Sequence, residues 1–145
     1  MGKFGDDLYI FRGAQPDGVG YLSLRNQLSV RTVINLRKFH DESEIVERMG
    51  MKSFSFPMTV FREIPREKIH EILDIMKNPS NFPVFVHCLQ GHDRTGAICA
   101  CYRIREDGWT LEEAREEMIS YGFNRLWEEM KDSIEAFAKG GCRNE

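Results

Sequence analysis

The stretch PVFVHCLQGHDRTG, residues 83–96, decides how the sequence folds, because it joins an apolar run to a polar cluster and then to a helical pattern. The run PVFVHC is typical of a buried strand, and residues 95–106 have the spacing of a helix. In open α/β sheets, ligands bind at the carboxyl ends of the strands, and a helix start offers unpaired N–H groups and a positive dipole end. The stretch therefore predicts an anion site between a strand and a helix.

The rest of the chain alternates between strand and helix patterns. The predicted strands are residues 9–13, 31–37, 52–57 and 83–88. The predicted helices are residues 42–50, 64–78, 95–106, 110–122 and 123–139, the fourth with a capping box from Thr110 to Glu113. No repeat or linker interrupts this pattern. We therefore expect a single α/β domain, residues 1–145, with a central, mainly parallel sheet flanked by helices and a frayed tail at 139–145.

Composition narrows the class of protein further. A chain of 145 residues with 41% hydrophobic content is long enough for one well-packed core and too short for two. Neither a signal peptide nor a run of ~20 apolar residues that could span a membrane is present in the sequence. We expect a cytoplasmic protein, or one exported by a signal already removed. The cysteines form no C-x-x-C pair, so reduced thiols are expected at Cys88, Cys99, Cys101 and Cys142.

The charge distribution disfavours nucleic acid as the main partner. A formal net charge of -3 lacks the basic excess that proteins binding a phosphate backbone carry. Basic side chains nevertheless gather in three places. These groups are Arg37, Lys38 and His40; Arg62, Arg66 and Lys68; and His92 with Arg94. Each group alone is typical of a solvated face, whereas their convergence would create a pocket for anions.

The polar cluster itself has the chemistry to bind and attack a phosphate. Gly91 lets the loop approach a ligand closely, and Arg94 supplies a planar fork that matches two phosphate oxygens. The positive field at the helix start favours thiolate over thiol at Cys88, and the thiolate is the nucleophile. The loop amides predicted to bind the phosphate are those of Leu89, Gln90, Gly91 and His92. No cofactor or metal is needed for such a reaction.

HCLQGHDRTG resembles the signature of the cysteine-dependent protein tyrosine and dual-specificity phosphatase superfamily, which is His-Cys, five residues, Arg and Ser/Thr. FRGAQP, TVINLR, IPREKIHEILDIM and DGWTLEEAREEM are similar to plant and fungal atypical dual-specificity phosphatases and to bacterial tyrosine-phosphatase-like inositol phosphatases, or phytases. The resemblance covers about residues 9–125. It implies that Cys88 forms a phosphocysteine, that Thr95 assists its breakdown, and that His87 orders the loop through a hydrogen bond.

The sequence departs from the superfamily at the general acid. The superfamily's usual acid is an aspartate on a loop before the signature, and the corresponding stretch here, residues 56–68, contains no aspartate. The two candidates are Asp93, inside the signature, and Glu63, on the preceding loop. Asp93 is the first choice because its position, just before the arginine, resembles the Cys-x-x-Gly-x-Asp-Arg-Thr signature of some bacterial phosphatases. Those phosphatases act on phosphoinositides and phosphopeptides. The alternative is that Asp93 only hydrogen-bonds loop amides or pairs with a basic neighbour.

Several residues that could bind a metal or take part in a reaction are better explained by structural roles. Zinc is disfavoured because His87, Cys88 and His92 lack a second pair of ligands at the usual spacing. Cys99 and Cys101 are expected to be inert core thiols. The remaining residues expected to pack in the core are Met49, Met51, Met58, Met76, Trp109 and Trp127.

Three classes of function fit the sequence. They are a phosphomonoesterase, a catalytically weak phosphate-binding module, and a thiol redox or arsenate-reducing enzyme with a resolving cysteine. The phosphomonoesterase is favoured. Within the first class, a basic rim favours an inositol polyphosphate, which is phytate-like, over a phosphotyrosine protein or a phosphoinositide. The rim residues are Arg37, Lys38, His40 and Arg62. The oligomeric state cannot be read from the sequence.

Overall fold

A five-stranded sheet forms the centre of the computed structural model, which describes residues 2–3 and 9–140. The strand order across the sheet is β1-β2-β5-β3-β4. The strands are β1 (Gly2–Lys3), β2 (Ile10–Gly13), β3 (Thr32–Asn35), β4 (Lys52–Ser55) and β5 (Val84–His87). β2, β5, β3 and β4 run parallel, and the two-residue β1 pairs antiparallel with β2 at the edge. The predicted mainly parallel sheet is confirmed.

The register brings the ends of the parallel strands to one edge of the sheet. His87 at the end of β5 pairs with Gly13 of β2 on one side and with Asn35 of β3 on the other, while Asn35 also pairs with Ser55 of β4. The loops that follow these four strands therefore meet at a single edge. This is the edge where parallel α/β sheets bind ligands.

Two hydrophobic clusters cover the two faces of the sheet. Side chains alternate along each strand, so that Val33 and Phe85 face one cluster while Ile34 and Val86 face the other. The first cluster includes residues of α1 (Gly18–Asn26) and α2 (Ser43–Arg48). The larger cluster packs against the other helices, which are α3 (Arg66–Lys77), α4 (Arg94–Glu106), α5 (Leu111–Ser120) and α6 (Glu128–Gly140). A 3-10 turn, Pro79–Asn81, precedes β5.

Most predicted elements are present, with corrections near both ends of the chain. The sequence analysis missed the edge strand β1 and the helix α1, which is anchored by Tyr21 and Leu24 and capped by Asp17. The last helix begins at Glu128 rather than at residue 123, so residues 123–127 form a loop. Residues 139 and 140 belong to α6 rather than to a frayed tail; the rest of that predicted tail, 141–145, lies outside the described residues.

Most of the predicted core residues are buried, whereas Met49, Trp109 and Trp127 are half-buried. Cys99 and Cys101 are each 1% exposed and carry free thiols, whereas Cys142 lies outside the described residues. The methionine and tryptophan side chains predicted for the core belong to the two hydrophobic clusters or pack against them; they are Met49, Met51, Met58, Met76, Trp109 and Trp127. The capping box of Thr110 and Glu113 is present. Within the described part of the chain, no helix has both the length and the apolarity to cross a membrane. The cytoplasmic location stays a prediction.

Candidate active site

The loop between β5 and α4, residues 88–93, is called the phosphate loop below, and its conformation depends on Gly91. Gly91 has a φ of +80°, a backbone conformation that favours glycine. It also lies against the end of β2, where a Cβ on Gly91 would stand 2.6 Å from the carbonyl carbon of Gly13 and 2.7 Å from its oxygen. Both observations exclude an ordinary side chain at this position. The loop is therefore held in close contact with the neighbouring strand.

Arg12 in β2 and Gln15, two residues after β2 ends, both donate hydrogen bonds to the backbone of the phosphate loop. The Arg12 guanidinium donates to the Gly91 carbonyl oxygen at 2.8 Å, and the Gln15 N–H donates to the Leu89 carbonyl oxygen at 3.0 Å. Arg12 is 3% exposed and also lies over the Tyr121 ring, 4.3 Å from its centroid. The sequence analysis missed this arginine. A charged residue inside an otherwise apolar strand pattern was the signal that could have identified it.

Cys88 occupies the floor of the phosphate loop, where its side chain is 2% exposed. The Gly91 N–H donates to its sulfur at 3.3 Å. Burial raises the pKa of the Cys88 thiol, but the nearby hydroxyl and N–H of Thr95, the N–H of Gly91 and the charge of Arg94 outweigh this effect. The net effect is a lowered pKa, so the site favours the thiolate.

Arg94 is the first residue of α4 and connects the phosphate loop to the loop that follows β4. Its Nη1 donates to the Met58 carbonyl oxygen at 3.3 Å. Its Nε is buried and has no hydrogen-bond partner among the described residues. The guanidinium thus keeps donor capacity at the site, as a group that binds phosphate oxygens requires.

His87 is completely buried behind the phosphate loop. Its Nδ1 lies 3.0 Å from the Cys88 carbonyl oxygen, to which it donates. This is the hydrogen bond that the predicted loop-ordering role requires. Its Nε2 lies 2.9 and 2.8 Å from the two carboxylate oxygens of Glu42, a residue that the sequence analysis did not single out.

The two candidate acids lie in different surroundings. Asp93 is half-buried, and its Oδ1 accepts a hydrogen bond from the Asn124 N–H at 2.9 Å. This contact ties the phosphate loop to the loop after α5, where the His92 ring also lies against Gly122. Glu63 is exposed on the loop after β4 and lines a cavity there. Asp93 therefore has a structural partner, and Glu63 lies on the more open loop.

The predicted basic rim converges only in part. Lys38 and Arg62 line one cavity of about 540 Å³ between β4 and α3, and Lys68 lines it with them. His40 and Lys38 line an adjacent cavity of about 490 Å³. The half-buried Arg37 instead donates to the Gln15 side chain at 3.1 Å. Because Met58 also lines the larger cavity, this cavity adjoins the residue that contacts Arg94.

Two further features bear on the competing chemistries. Burial raises the pKa of the Cys99 thiol to about 11, and it also raises that of Cys101, so neither is readily ionised. Among residues 9–140, no group of three or more histidine, cysteine, aspartate or glutamate residues is arranged to hold a metal ion.

Comparison with known proteins agrees with this arrangement. The family model described as "Tyrosine phosphatase family" matches residues 4–141. The chain is 29% identical over 131 residues to dual specificity protein phosphatase TpbA of Pseudomonas aeruginosa, covering 90% of this chain and 58% of that protein. It is 30% identical over 115 residues to inositol diphosphatase DSP4 of Arabidopsis thaliana, covering 74% of this chain and 57% of that protein. The chain thus spans little more than half the length of these two curated relatives.

A solved structure shows the same fold. The core catalytic domain of the PP-IP phosphatase SIW14 from S. cerevisiae, crystallised with citrate, matches with a TM-score of 0.80 at 23% sequence identity. The match covers 94% of this chain and 87% of that one. The predicted resemblance is confirmed by the extent of these matches, and the chain belongs to the tyrosine phosphatase family.

Proposed function

We propose that the chain is a phosphomonoesterase that works through a phosphocysteine. The observation that carries this proposal is the buried Cys88 sulfur, which accepts a hydrogen bond from the Gly91 N–H, has a lowered pKa and lies beside the positive charge of Arg94. A lowered pKa increases the fraction of Cys88 that is present as the thiolate, and the thiolate is the nucleophile. Donors that surround the transferring group stabilise the charge on its equatorial oxygens.

The reaction proceeds in two displacements. The Cys88 thiolate attacks phosphorus, the bond from phosphorus to the ester oxygen breaks, and the leaving oxygen takes a proton from the general acid. Water then attacks the phosphocysteine, the sulfur–phosphorus bond breaks, and inorganic phosphate leaves. The Thr95 hydroxyl has no other partner among the described residues and is the donor that would stabilise the departing thiolate. The deprotonated acid accepts the proton of the attacking water and returns to its starting state.

Asp93 is our first choice for the acid, with Glu63 as the alternative. The Asn124 N–H occupies Oδ1 of Asp93, so Oδ2 is the oxygen that would carry the proton. A bound phosphate dianion raises the pKa of a neighbouring carboxyl group by like-charge repulsion, which favours its acid form. Glu63 would act after a movement of the exposed loop that carries it.

An inositol ring with several phosphates is the substrate that the surroundings favour. Lys38, Arg62 and Lys68 line the cavity next to Met58, whose carbonyl oxygen contacts Arg94. Their charges would hold further phosphates while one occupies the phosphate loop. The names of relatives such as inositol diphosphatase DSP4 agree with this choice, whereas the name of TpbA supports the alternative, a phosphotyrosine or other phosphoprotein substrate.

Phosphate release should be measured across inositol polyphosphates, inositol pyrophosphates, phosphoinositides and phosphotyrosine peptides. We expect the highest kcat/KM for an inositol carrying several phosphates, and a decrease of that value with added salt. Arg62→Gln and Lys68→Gln should raise KM for that substrate and leave nitrophenyl phosphate unaffected. Lys131→Gln, on α6 and paired with Glu128, is the matched control. Much higher efficiency on phosphotyrosine peptides would contradict this choice of substrate.

The two other classes of function are disfavoured on specific grounds. A redox enzyme needs a resolving cysteine with an accessible thiolate. Besides Cys88, the cysteines that the structure describes are Cys99 and Cys101, which are buried thiols with raised pKa values. A phosphate-binding module would bind phosphate but turn over no substrate. Turnover of nitrophenyl phosphate, which needs little help from an acid, distinguishes such a module from an enzyme.

A further inference from the structure

Glu42 is a buried carboxylate whose contacts lead to the nucleophile. It precedes α2, is 3% exposed, and accepts hydrogen bonds from two buried side chains. One is the Tyr21 hydroxyl of α1, and the other is Nε2 of His87, which is shared between both carboxylate oxygens. His87 in turn contacts the Cys88 carbonyl oxygen. Glu42 is thus one side chain removed from the residue that attacks phosphorus.

The donors and acceptors in this chain of contacts determine where the protons lie. A carbonyl oxygen can only accept, so Nδ1 of His87 carries a proton. Burial raises the pKa of the Glu42 carboxyl group, but the hydrogen bond and charge of His87 and the hydrogen bond of Tyr21 outweigh this effect. The net result is a lowered pKa, which favours the ionised carboxylate. An ionised carboxylate also only accepts, so Nε2 carries a proton as well. With both ring nitrogens donating, His87 would be an imidazolium, and this is the state that the proposal below assigns to it.

Donors and acceptors can be assigned in the same way for the hydrogen bonds that lead from Glu42 to Arg37. The Tyr21 hydroxyl donates to Glu42 and accepts from Nε2 of Gln15 at 2.7 Å. Oε1 of Gln15 accepts from Arg37 at 3.1 Å. Burial and the negative charge of Glu42 raise the Tyr21 pKa, which keeps this hydroxyl protonated. The chain runs without a break from the half-buried Arg37 to the backbone of Cys88.

Stability alone is a poor reason for such a pair. Moving two charges out of water costs several kcal/mol per ion by a rough estimate, and a buried ion pair often contributes little net stability. The location of the pair, next to the start of the phosphate loop, suggests a different benefit. A fixed positive charge behind the loop favours an anion on the adjacent residue.

We propose that Glu42 is a positioning residue for catalysis, which holds His87 as an imidazolium so that His87 fixes the Cys88 carbonyl and favours the Cys88 thiolate. The proposal rests on the proposed function, in which that thiolate is the nucleophile. The charged and titratable groups that face the pair and the thiolate are Tyr21 of α1, Arg37 after β3 and Arg94 of α4. Of these, Arg94 acts directly on the thiolate, so removal of Glu42 should weaken its stabilisation without abolishing it.

Alkylation of Cys88 by iodoacetamide as a function of pH tests the proposal without any substrate. The peptide that carries Cys88 is quantified by mass spectrometry, so that other thiols do not contribute. In Glu42→Gln, His87 loses one proton, and we expect alkylation at mildly acidic pH to slow about tenfold. Alkylation well above the Cys88 pKa should be unchanged. The matched control is Glu44→Gln, two residues along, whose carboxylate pairs with Arg48 at the surface. An unchanged pH profile in folded Glu42→Gln would overturn the proposal.

A measurement on the unmodified protein covers the case in which Glu42→Gln does not fold. Nitrogen NMR of histidine-labelled protein at neutral pH should show both ring nitrogens of His87 in the protonated, imidazolium position. A neutral ring with one unprotonated nitrogen would overturn the proposal. Failure of the proposed function would be a separate result. If His87 is an imidazolium and the Cys88 thiolate depends on Glu42, but the protein hydrolyses no phosphate ester, the proposed phosphatase activity is contradicted. The role of Glu42 in stabilising the thiolate would still stand.

Discussion

Gly91 lies so close to Gly13 that a Cβ on Gly91 would stand 2.6 Å from the Gly13 carbonyl carbon. Gly91→Ala should therefore displace the phosphate loop from β2. A displacement of about 1 Å at a reacting group can cost on the order of 100-fold in rate, so we expect kcat/KM to fall at least that far. The measurements are turnover of nitrophenyl phosphate and thermal unfolding.

The control for this substitution is Gly108→Ala. Gly108 has a similar φ of +73°, but a Cβ on Gly108 would meet no other atom within 4 Å. It should lose about 1 kcal/mol of stability from the left-handed conformation alone and keep its activity. Equal losses of activity in the two variants would show that the contact with Gly13 has no special importance.

Arg12 should be needed for activity rather than for folding alone. Its guanidinium donates to the Gly91 carbonyl oxygen at 2.8 Å and lies over Tyr121. Arg12→Lys keeps the charge but loses the planar fork; the loss of a charged hydrogen bond of about 2 kcal/mol corresponds to roughly a 30-fold lower kcat/KM. Arg103 is also buried but pairs with Glu117 and Asp107, so Arg103→Lys should lower the unfolding temperature and leave kcat/KM near that of the wild type. Wild-type kcat/KM in Arg12→Lys would contradict this role.

Thr95 should contribute to the low pKa of Cys88. Its hydroxyl is one of the neighbouring donors that lower the Cys88 pKa, so its removal in Thr95→Val should destabilise the charged form and raise that pKa. Alkylation of Cys88 should then slow at pH values below the new pKa and remain unchanged at pH values above it. Thr32→Val removes another fully buried hydroxyl, on β3, and should leave the profile unchanged. A profile for Thr95→Val that overlays the wild type would contradict the assignment.

The identity of the general acid can be tested with two leaving groups. An inositol alkoxide is far more basic than a nitrophenolate, so loss of the acid should slow the inositol substrate by about 10²- to 10⁴-fold and the nitrophenyl ester much less. Asp93→Asn is a clean variant because its side-chain carbonyl can still accept from the Asn124 N–H. Glu63→Gln is the matched comparison. If Asp93→Asn slows both substrates equally, Asp93 is structural; a selective loss in Glu63→Gln alone moves the role to Glu63.

Local sequence predicted the phosphate loop because everything it needs lies within one strand, one loop and one helix start. Cys88, Gly91 and Arg94 are within seven residues of each other, and the flanking patterns place them at the carboxyl edge of the sheet. The helix α1 was missed for a similar local reason. Its sequence contains two glycines, which disfavour helix, and the packing of Tyr21 and Leu24 against the sheet compensates.

The partners of the phosphate loop could not be predicted, because they depend on which strands are neighbours. Glu42 lies in the run DESEIVE, where its charge looks like that of any surface helix start. It reaches His87, 45 residues away, because β3 pairs with β5 and the loop after β3 returns over this edge. The basic groups behaved likewise: Lys38 and Arg62 share a cavity, while Arg66 packs over the Phe137 ring. Whether a basic side chain lines the cavity or packs elsewhere depends on the direction in which it points, which sequence spacing does not specify.

The central claim is that Cys88 carries the phosphoryl group during turnover, and trapping of the intermediate tests it most directly. The protein is mixed with nitrophenyl phosphate, quenched in acid within the first turnovers, digested, and analysed by mass spectrometry. We predict one phosphoryl group on the peptide that contains Cys88, and neither label nor turnover in Cys88→Ser. Phosphate release without label on that peptide, or near-normal turnover in Cys88→Ser, would contradict the account.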